Sequence, residues 1–167
     1  MFTKRRHLSP LIATMVLMWS SAALAQTTDT FNVTITLQDA CELSTAPTDL
    51  DFGTVNLLNQ DYDAASAVYV TCTEGAAYAL SLDAGDHADG TSRRMENSGN
   101  FVSYRLYSDG GRTTLWGDGT TFGSTAAGTG NGAEQTVDVF GRVANADNTS
   151  TPPAGAYSDI VTVTVTF

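Results

Sequence analysis

The chain has 167 residues, with 8 Lys and Arg against 18 Asp and Glu and a formal net charge of −10 at pH 7. This balance opposes binding to nucleic-acid phosphates and to anionic lipids, because both depend on clustered Lys and Arg. We therefore expect no nucleic-acid partner. The length fits one domain, so we also expect a single folding unit.

The first 25 residues have the pattern of a secretory signal peptide. A basic start at residues 4–6 precedes an apolar stretch at residues 11–19 and a small-residue cleavage site at residues 23–25. The apolar stretch is too short to span a bilayer comfortably. Three of the basic residues lie here, so a mature chain from Gln26 would carry five arginines against 18 acidic residues. We expect a strongly acidic, exported product.

Both ends of the predicted mature chain alternate apolar and polar residues. In residues 31–37 the apolar face consists of Phe31, Val33, Ile35 and Leu37. In residues 160–167 it consists of Val161, Val163, Val165 and Phe167. This period of two predicts a β-strand at each end. A lone strand leaves its backbone N–H and C=O groups unpaired, so the first one must join a sheet, of its own chain or of a neighbour.

Cys41 and Cys72 are the two cysteines of the chain. An isolated pair in an oxidising compartment has one intramolecular connectivity, so we expect a disulfide. A zinc site would lack ligands, since His87 is the one histidine beyond the signal peptide and no Cys-x-x-Cys is present. In the chain-entropy model, a bridge closing about 30 residues stabilises a fold by roughly 3 to 4 kcal/mol.

Between its two ends, the sequence is typical of short strands separated by turns. The predicted strands are residues 50–55, 67–73, 77–82, 101–107, 113–116, 136–143 and 157–167. The intervening stretches are rich in Gly, Asp, Asn and Ser, which favour turns. No segment has a helical period. About seven short strands at this spacing predict an all-β, antiparallel sandwich of immunoglobulin-like type.

Other patterns give weaker indications of function. The run Asp83, Asp86 and Asp89 could suggest calcium, but its spacing is not that of an EF-hand. We expect a solvated turn there, with calcium left open. His87 lies in the same turn, and no Gly-x-Ser-x-Gly elbow accompanies it, so no catalytic centre is predicted. Residues 128–132 lack the Lys-Ser/Thr of a phosphate loop and predict a flexible hairpin. We predict no enzyme activity, cofactor or metal.

Two further patterns have ordinary structural interpretations. Trp116 and the tyrosines could stack on sugars, but aromatic residues in sandwich strands usually belong to the core. Asn32 and Asn148 each begin an Asn-x-Ser/Thr sequon, which has little meaning if a bacterium exports the chain.

A series of short motifs resembles the spore coat protein U domain family, which includes pilins of the archaic, Csu-type chaperone–usher pathway. In chain order the motifs are Cys41, Asp51-Phe-Gly53, Val70-x-Cys72, Tyr78-x-Leu-x-Leu82, Arg94-Met95, Tyr104-x-Leu-Tyr-x-Asp109, Trp116-Gly117, Gly141-Arg-Val143, Gly155-x-Tyr-x-Asp159 and Val163-x-Val-x-Phe167. The resemblance covers nearly all of the predicted mature chain, and the Gly-x-Tyr-x-Asp motif is its most specific part.

The resemblance implies an incomplete immunoglobulin-like sandwich that lacks its last strand. Residues 1–25 would be the signal peptide, 26–40 a donor strand with its linker, and 41–167 the pilin domain. A hydrophobic groove would lie beside the C-terminal strand, where Val161, Val163, Val165 and Phe167 would contact a periplasmic chaperone. At the outer-membrane usher, the donor strand of the next subunit, with Phe31, Val33, Ile35 and Leu37, would replace the chaperone.

The function that this resemblance implies is that of a structural pilus subunit at the cell surface, serving attachment and biofilm formation. Its partners would be identical or related subunits, the chaperone and the usher. Two alternatives stay open at this point. The chain could be a self-completed secreted coat or matrix protein of the same family, with residues 31–37 in its own groove, or a sugar-binding adhesive module.

Overall fold

The computed structural model describes residues 24–167. The predicted signal peptide therefore lies almost entirely outside the described residues. The chain divides into two units after Ile35. Residues 24–35, the described part of the first unit, contain no helix or strand, whereas every described strand belongs to residues 36–167. In the described part of the chain, no helix is long and apolar enough to cross a membrane.

Within residues 24–167, eight strands form two antiparallel sheets. In chain order they are β1 (Cys41–Thr45), β2 (Tyr62–Cys72), β3 (Ala77–Leu82), β4 (Arg93–Asn97), β5 (Asn100–Tyr107), β6 (Ala126–Thr129), β7 (Glu134–Val143) and β8 (Val163–Thr166), with one short 3-10 turn at Asn145–Asp147. One sheet has the order β1-β2-β7-β5-β4 and the other the order β6-β3-β8. The predicted all-β, antiparallel architecture is confirmed.

The core lies between the two sheets and is built from alternate residues of the long strands. Successive side chains of a strand point to opposite faces, so every second residue is buried. The buried set includes Val68, Val70, Tyr78, Leu80, Leu82, Val102, Tyr104, Leu106, Val139 and Val143. Trp116 is fully buried, and its Nε1 donates to the carbonyl of Leu80 at 2.9 Å. A side chain in this position cannot stack on a sugar.

Four of the predicted strands are found in the structure. The bounds predicted for β3 are confirmed, and β2, β5 and β7 begin one to five residues earlier than predicted. The predicted strand at 157–167 is shortened to Val163–Thr166, which pairs with β3, and before it Ser158 forms an isolated bridge with Glu96. Residues 31–37, also predicted as a strand, are not in one in the structure.

The predicted strands at residues 50–55 and 113–116 are wrong. Leu50 and Phe52 pack against the core from a segment without a ladder, over Gly141, where an added Cβ would lie 2.7 Å from Leu50 Cδ2. Gly53 follows with a φ of +74°, a left-handed conformation that interrupts an extended run. Around Leu115 and Trp116 only isolated bridges form.

Strands β1, β4 and β6 are not among the predicted strands. Their residues are mostly small or polar, so their extended conformation depends on pairing with a neighbour rather than on a hydrophobic pattern. The flexible hairpin predicted at residues 128–132 is wrong in part, since Gly128 pairs with Tyr78 in the β3–β6 ladder. An added Cβ at Gly128 would lie 2.4 Å from the Tyr78 ring, so this glycine permits close packing.

Two buried polar side chains connect elements of the fold. The guanidinium of Arg93 donates to the carbonyls of Leu82, Asp83 and Trp116 at 2.6 to 3.0 Å. Burial lowers the pKa of this guanidinium from its ordinary value. Asn148 is also buried and bonds to both backbone groups of Ser103, accepting at 2.8 Å and donating at 2.9 Å. Asn148 thereby substitutes for a strand partner on β5.

The disulfide lies at the end of the β1–β2 ladder. Cys41 and Cys72 are directly opposite in the register, and the structure joins them by a disulfide with a Cα–Cα distance of 4.1 Å. Cys72 is buried, whereas Cys41 is partly exposed. The bond therefore fixes the start of β1 to the core.

Candidate functional site: an apolar groove beside the C-terminal strand

Strand β8 lies at the edge of its sheet. Among the described residues it pairs with β3 on one side only, and β1 likewise pairs only with β2. The two edge strands approach each other, with Cα atoms within 8 Å, yet no ladder joins them. Backbone N–H and C=O groups along the outer edge of β8 are therefore free to pair with a further strand.

Half-buried apolar side chains of β8, of the segment before it and of the chain from β1 to Phe52 pack on the same core. They pack on the core but keep part of their surface exposed. From the N-terminal side these residues are Leu43, Leu50 and Phe52, and from the C-terminal side Tyr157, Val161, Val163 and Val165. We call this surface the groove. A row of partly exposed apolar side chains beside an unpaired strand edge is the surface left when a sandwich lacks one strand.

A cavity of about 460 Å³ shares Leu50, Phe52 and Tyr157 with this surface but is not lined by β8 itself. Its walls combine residues from the segment after β1, from the sheet and from the segment before β8, among them Leu50, Phe52, Val55, Leu58, Tyr62, Met95, Val102, Val143 and Tyr157. Asp51 and Thr54 also line the cavity, but most of its side chains are apolar, so it suits an apolar side chain.

Three of the four residues predicted for the groove edge are half-buried against the core. Val163 and Val165 are half-buried on β8, and Val161 is half-buried just before it. Phe167 differs, because it follows the end of β8 and is 60% exposed. It shares the parity of the three valines, but the ladder with β3 ends at Thr166.

The four predicted donor residues are among the most exposed apolar side chains of the described chain. Phe31, Val33, Ile35 and Leu37 are 87, 84, 84 and 79% exposed. Burial of one such side chain is favourable by roughly 1.5 to 3 kcal/mol, so leaving four of them exposed to water is unfavourable. Their pattern matches that of a strand with one apolar face.

A buried carboxylate holds the backbone that leads into β8. The Asp159 side chain is 3% exposed and accepts hydrogen bonds from the Tyr104 hydroxyl at 2.6 Å and from the Asp86 and His87 amides at 2.9 and 3.2 Å. Its Oδ1 also lies 3.0 Å from His87 Nδ1. Burial and this carboxylate raise the pKa of the Tyr104 hydroxyl well above its ordinary value.

The prediction of a solvated acidic turn at residues 83–90 is therefore wrong in part. Asp83 accepts from the Thr162 amide at 2.9 Å and from the Gly85 amide at 3.0 Å. Burial acts to raise the pKa of Asp83, but these amides outweigh it, and the pKa lies below its ordinary value. Gly85 has a φ of +79°, and an added Cβ would lie 2.1 Å from Asp159 Oδ2. The turn packs directly on the start of the groove edge.

The contacts of the acidic turn at residues 83–90 do not point to a metal site. Asp89 pairs with Arg94 at 3.1 Å. Within residues 24–167, no group of three or more His, Cys, Asp or Glu side chains is placed to hold a metal ion.

Asp159 and Arg93 have structural roles that were not predicted from the sequence. Asp159 belongs to the Gly-x-Tyr-x-Asp motif, so the motif was visible but its bonding partners were distant in sequence. No sequence pattern indicates the burial of Arg93, because the carbonyls that accept from its guanidinium come together only in the tertiary structure.

The family model of the Spore Coat Protein U domain matches residues 27–164. The chain belongs to this family. Within the Spore Coat Protein U domain family, it is 31% identical to "Protein U" of Myxococcus xanthus, in an alignment that covers 93% of both proteins. The resemblance inferred from the short motifs is thereby confirmed.

Solved structures with the same fold come from chaperone–usher pili. One is a chain of the CsuC–CsuE chaperone–tip adhesion subunit pre-assembly complex from the archaic Csu pili of Acinetobacter baumannii, at 25% identity and a TM-score of 0.56. The alignment covers 79% of this chain but 40% of the other, so this member of the family spans less than half of that chain. A chaperone–usher pilus structure matches at 16% identity and a TM-score of 0.53, covering 89% and 99%. The chain has the fold of chaperone–usher pilus subunits.

Proposed function

We propose that this chain is a structural subunit of an archaic chaperone–usher pilus that polymerises by donor-strand exchange. Residues 31–37 of one copy enter the groove of the next, after a periplasmic chaperone has occupied that groove and an outer-membrane usher has released it. The fibre lies at the cell surface and serves attachment and biofilm formation. Family membership and the shared fold with chaperone–usher pilus subunits support this proposal.

The observation that carries the proposal is the match between the groove and residues 31–37. The groove has a free strand edge and half-buried apolar side chains at Val161, Val163 and Val165. Residues 31–37 have one apolar face and no strand partner of their own among residues 24–167. Same-face side chains recur about every 6.6 Å, so four of them span roughly 20 Å, about the length of one sandwich strand.

Pairing in the groove would satisfy both surfaces at once. The inserted strand would gain ladder hydrogen bonds from the free edge of β8, and its apolar face would leave water. Because removal of the strand would expose the core of the acceptor, dissociation should be slow.

The test is a pair of charge substitutions on opposite faces of the donor segment. Ile35→Asp places a carboxylate on the apolar face, where burial without a partner costs several kcal/mol. Thr34→Asp, on the other face, is the matched control. In cells that carry the chaperone and usher, we expect Ile35→Asp to fold but to form no fibres, whereas Thr34→Asp assembles. Electron microscopy and SDS-resistant ladders measure assembly.

A third variant separates assembly from folding. Val163 packs on the core from β8, so Val163→Asp should be degraded before assembly. Equal fibre yields from Ile35→Asp and Thr34→Asp would contradict donor-strand exchange. A wild-type chain that stays monomeric without a chaperone, and whose Ile35→Asp variant is as unstable as Val163→Asp, would instead identify a self-completed coat protein.

A further inference from the structure

The pairing of β1 with β2 continues beyond the ends of both strands. Cys41 and Cys72 form the last pair of the ladder, and the disulfide joins them. One residue further, the Thr73 amide donates to the Ala40 carbonyl at 2.9 Å. Ala40 is therefore bound to the domain although it lies outside β1.

The Thr73 side chain adds a second connection to the same segment. Its hydroxyl oxygen accepts from the Ala40 amide at 3.2 Å and lies 3.3 Å from the Gln38 carbonyl oxygen and 3.4 Å from that of Ala40. A hydroxyl has one proton to donate. The Gln38 carbonyl oxygen is the nearer of the two acceptors, so we assign the hydroxyl proton to it. One side chain thus bridges residues 38 and 40.

Thr73 itself is held by the turn between β2 and β3. The Ala76 amide donates to the Thr73 carbonyl at 3.0 Å, and the Gly75 amide donates to the Gly130 carbonyl at 2.9 Å. Gly75 has a φ of +85°, which favours glycine at this position of the turn. These hydrogen bonds fix the backbone that carries the Thr73 hydroxyl.

We propose that Thr73 is a positioning residue that clamps the root of the donor segment and sets the direction in which residues 31–37 leave the domain. This inference rests on the proposed function, because the occupant of the segment's apolar face is the groove of a second copy. Leu37, the last donor residue, is directly bonded to Gln38, so no free linker separates the inserted strand from the clamp. In a fibre, the clamp would make each joint between subunits stiff.

The first readout is amide hydrogen exchange at Ala40, measured by NMR on the purified monomeric or chaperone-bound protein. Thr73→Val removes the hydroxyl with little change of shape, and we expect the Ala40 amide to exchange roughly five- to tenfold faster. Thr73→Ser restores the hydroxyl and should restore slow exchange. Thr71→Val is the matched control, since Thr71 lies on the same face of β2 but pairs with Glu42. The urea midpoint should be the same for both valine variants.

The second readout is the bending of assembled fibres in electron micrographs. Fibres of Thr73→Val should have a shorter persistence length than fibres of wild type, Thr73→Ser or Thr71→Val. Unchanged exchange at Ala40 would overturn the clamp. Faster exchange at Ala40 with an unchanged persistence length would show that Thr73 does not stiffen the joint between subunits. If wild type forms no fibres, the proposed function fails, while exchange at Ala40 still decides whether Thr73 holds the segment.

Discussion

The imidazole Nδ1 of His87 lies 3.0 Å from the buried Oδ1 of Asp159, 72 residues away in sequence. This contact ties the turn after β3 to the segment that leads into β8. The Tyr104 hydroxyl, from β5, meets the other oxygen of the same carboxylate. The edge of the groove is thus fixed by polar contacts from two other parts of the fold, and not only by its ladder with β3.

Substitution of Asp159 should destabilise the domain more than substitution of His87. Asp159→Asn replaces one acceptor oxygen by a donor that faces N–H or O–H groups, and we expect a loss of about 2 kcal/mol in the free energy of unfolding. His87→Ala leaves three other donors on the carboxylate and should cost about 1 kcal/mol. The exposed Asp89→Asn is the control, at less than about 0.5 kcal/mol. Urea unfolding measures all three, and equal values would contradict this ranking.

Arg93→Lys should be strongly destabilising although it keeps the charge. The guanidinium satisfies the carbonyls of Leu82, Asp83 and Trp116 from one buried position. An ammonium cannot match this planar geometry, so carbonyls lose partners at a cost of roughly 2 to 3 kcal/mol. Arg94→Lys, at the neighbouring partly exposed position, is the control. Thermal unfolding compares the two, and a similar shift for both would refute the proposed geometry.

Acid should weaken the domain partly through Asp63. Two hydrogen bonds from Arg142, at 2.7 and 2.8 Å, hold the pKa of this carboxyl below its ordinary value. A lowered pKa in the folded state contributes stability at neutral pH, which is lost as the pH falls below about 4. Because Asp63 is partly exposed, solvent screens the contribution. Asp63→Asn should therefore flatten the acid limb of the stability curve slightly, as measured by urea unfolding at a series of pH values.

Loss of the disulfide should destabilise the domain without changing its fold. The bond joins residues 31 apart, and a loop of this length corresponds to roughly 3 to 4 kcal/mol in the chain-entropy model. Non-reducing peptide mapping should find the Cys41 and Cys72 peptides linked in protein from the periplasm. The double variant to Ala should unfold at a lower urea concentration. Free thiols in the exported protein would refute the bond.

Sequence pattern was sufficient for the strands that bury every second residue. Residues 77–82 alternate cleanly, and the predicted bounds are those of β3. The pattern failed at Leu50 and Phe52, because apolar side chains can enter a core from a segment without a ladder. It failed at Arg93–Asn97 for the opposite reason, since this polar strand is extended only through its pairing with β5.

The apolar face of the C-terminal strand could be predicted from sequence, but the contacts that fix its position could not. Alternation alone indicated the apolar face at Val161, Val163 and Val165, and the burial of these residues agrees with it. The contacts of Asp159 with Tyr104 and His87 join residues 55 and 72 positions apart. No local rule relates positions so far apart, so these contacts required the tertiary structure.

The buried position of Asn148 has a consequence for producing this protein. The residue begins an Asn-x-Ser/Thr sequon, yet its side-chain amide is occupied by the backbone of Ser103 and Ala144. An oligosaccharide on this nitrogen would displace those bonds and separate the 3-10 turn from β5. A eukaryotic secretory host glycosylates such sequons as the chain emerges. The sugar would then prevent the hydrogen bonds of Asn148 from forming when the domain folds. Asn148→Asp would block the sugar but also replace a donor by an acceptor, so a bacterial host is the better source of native material.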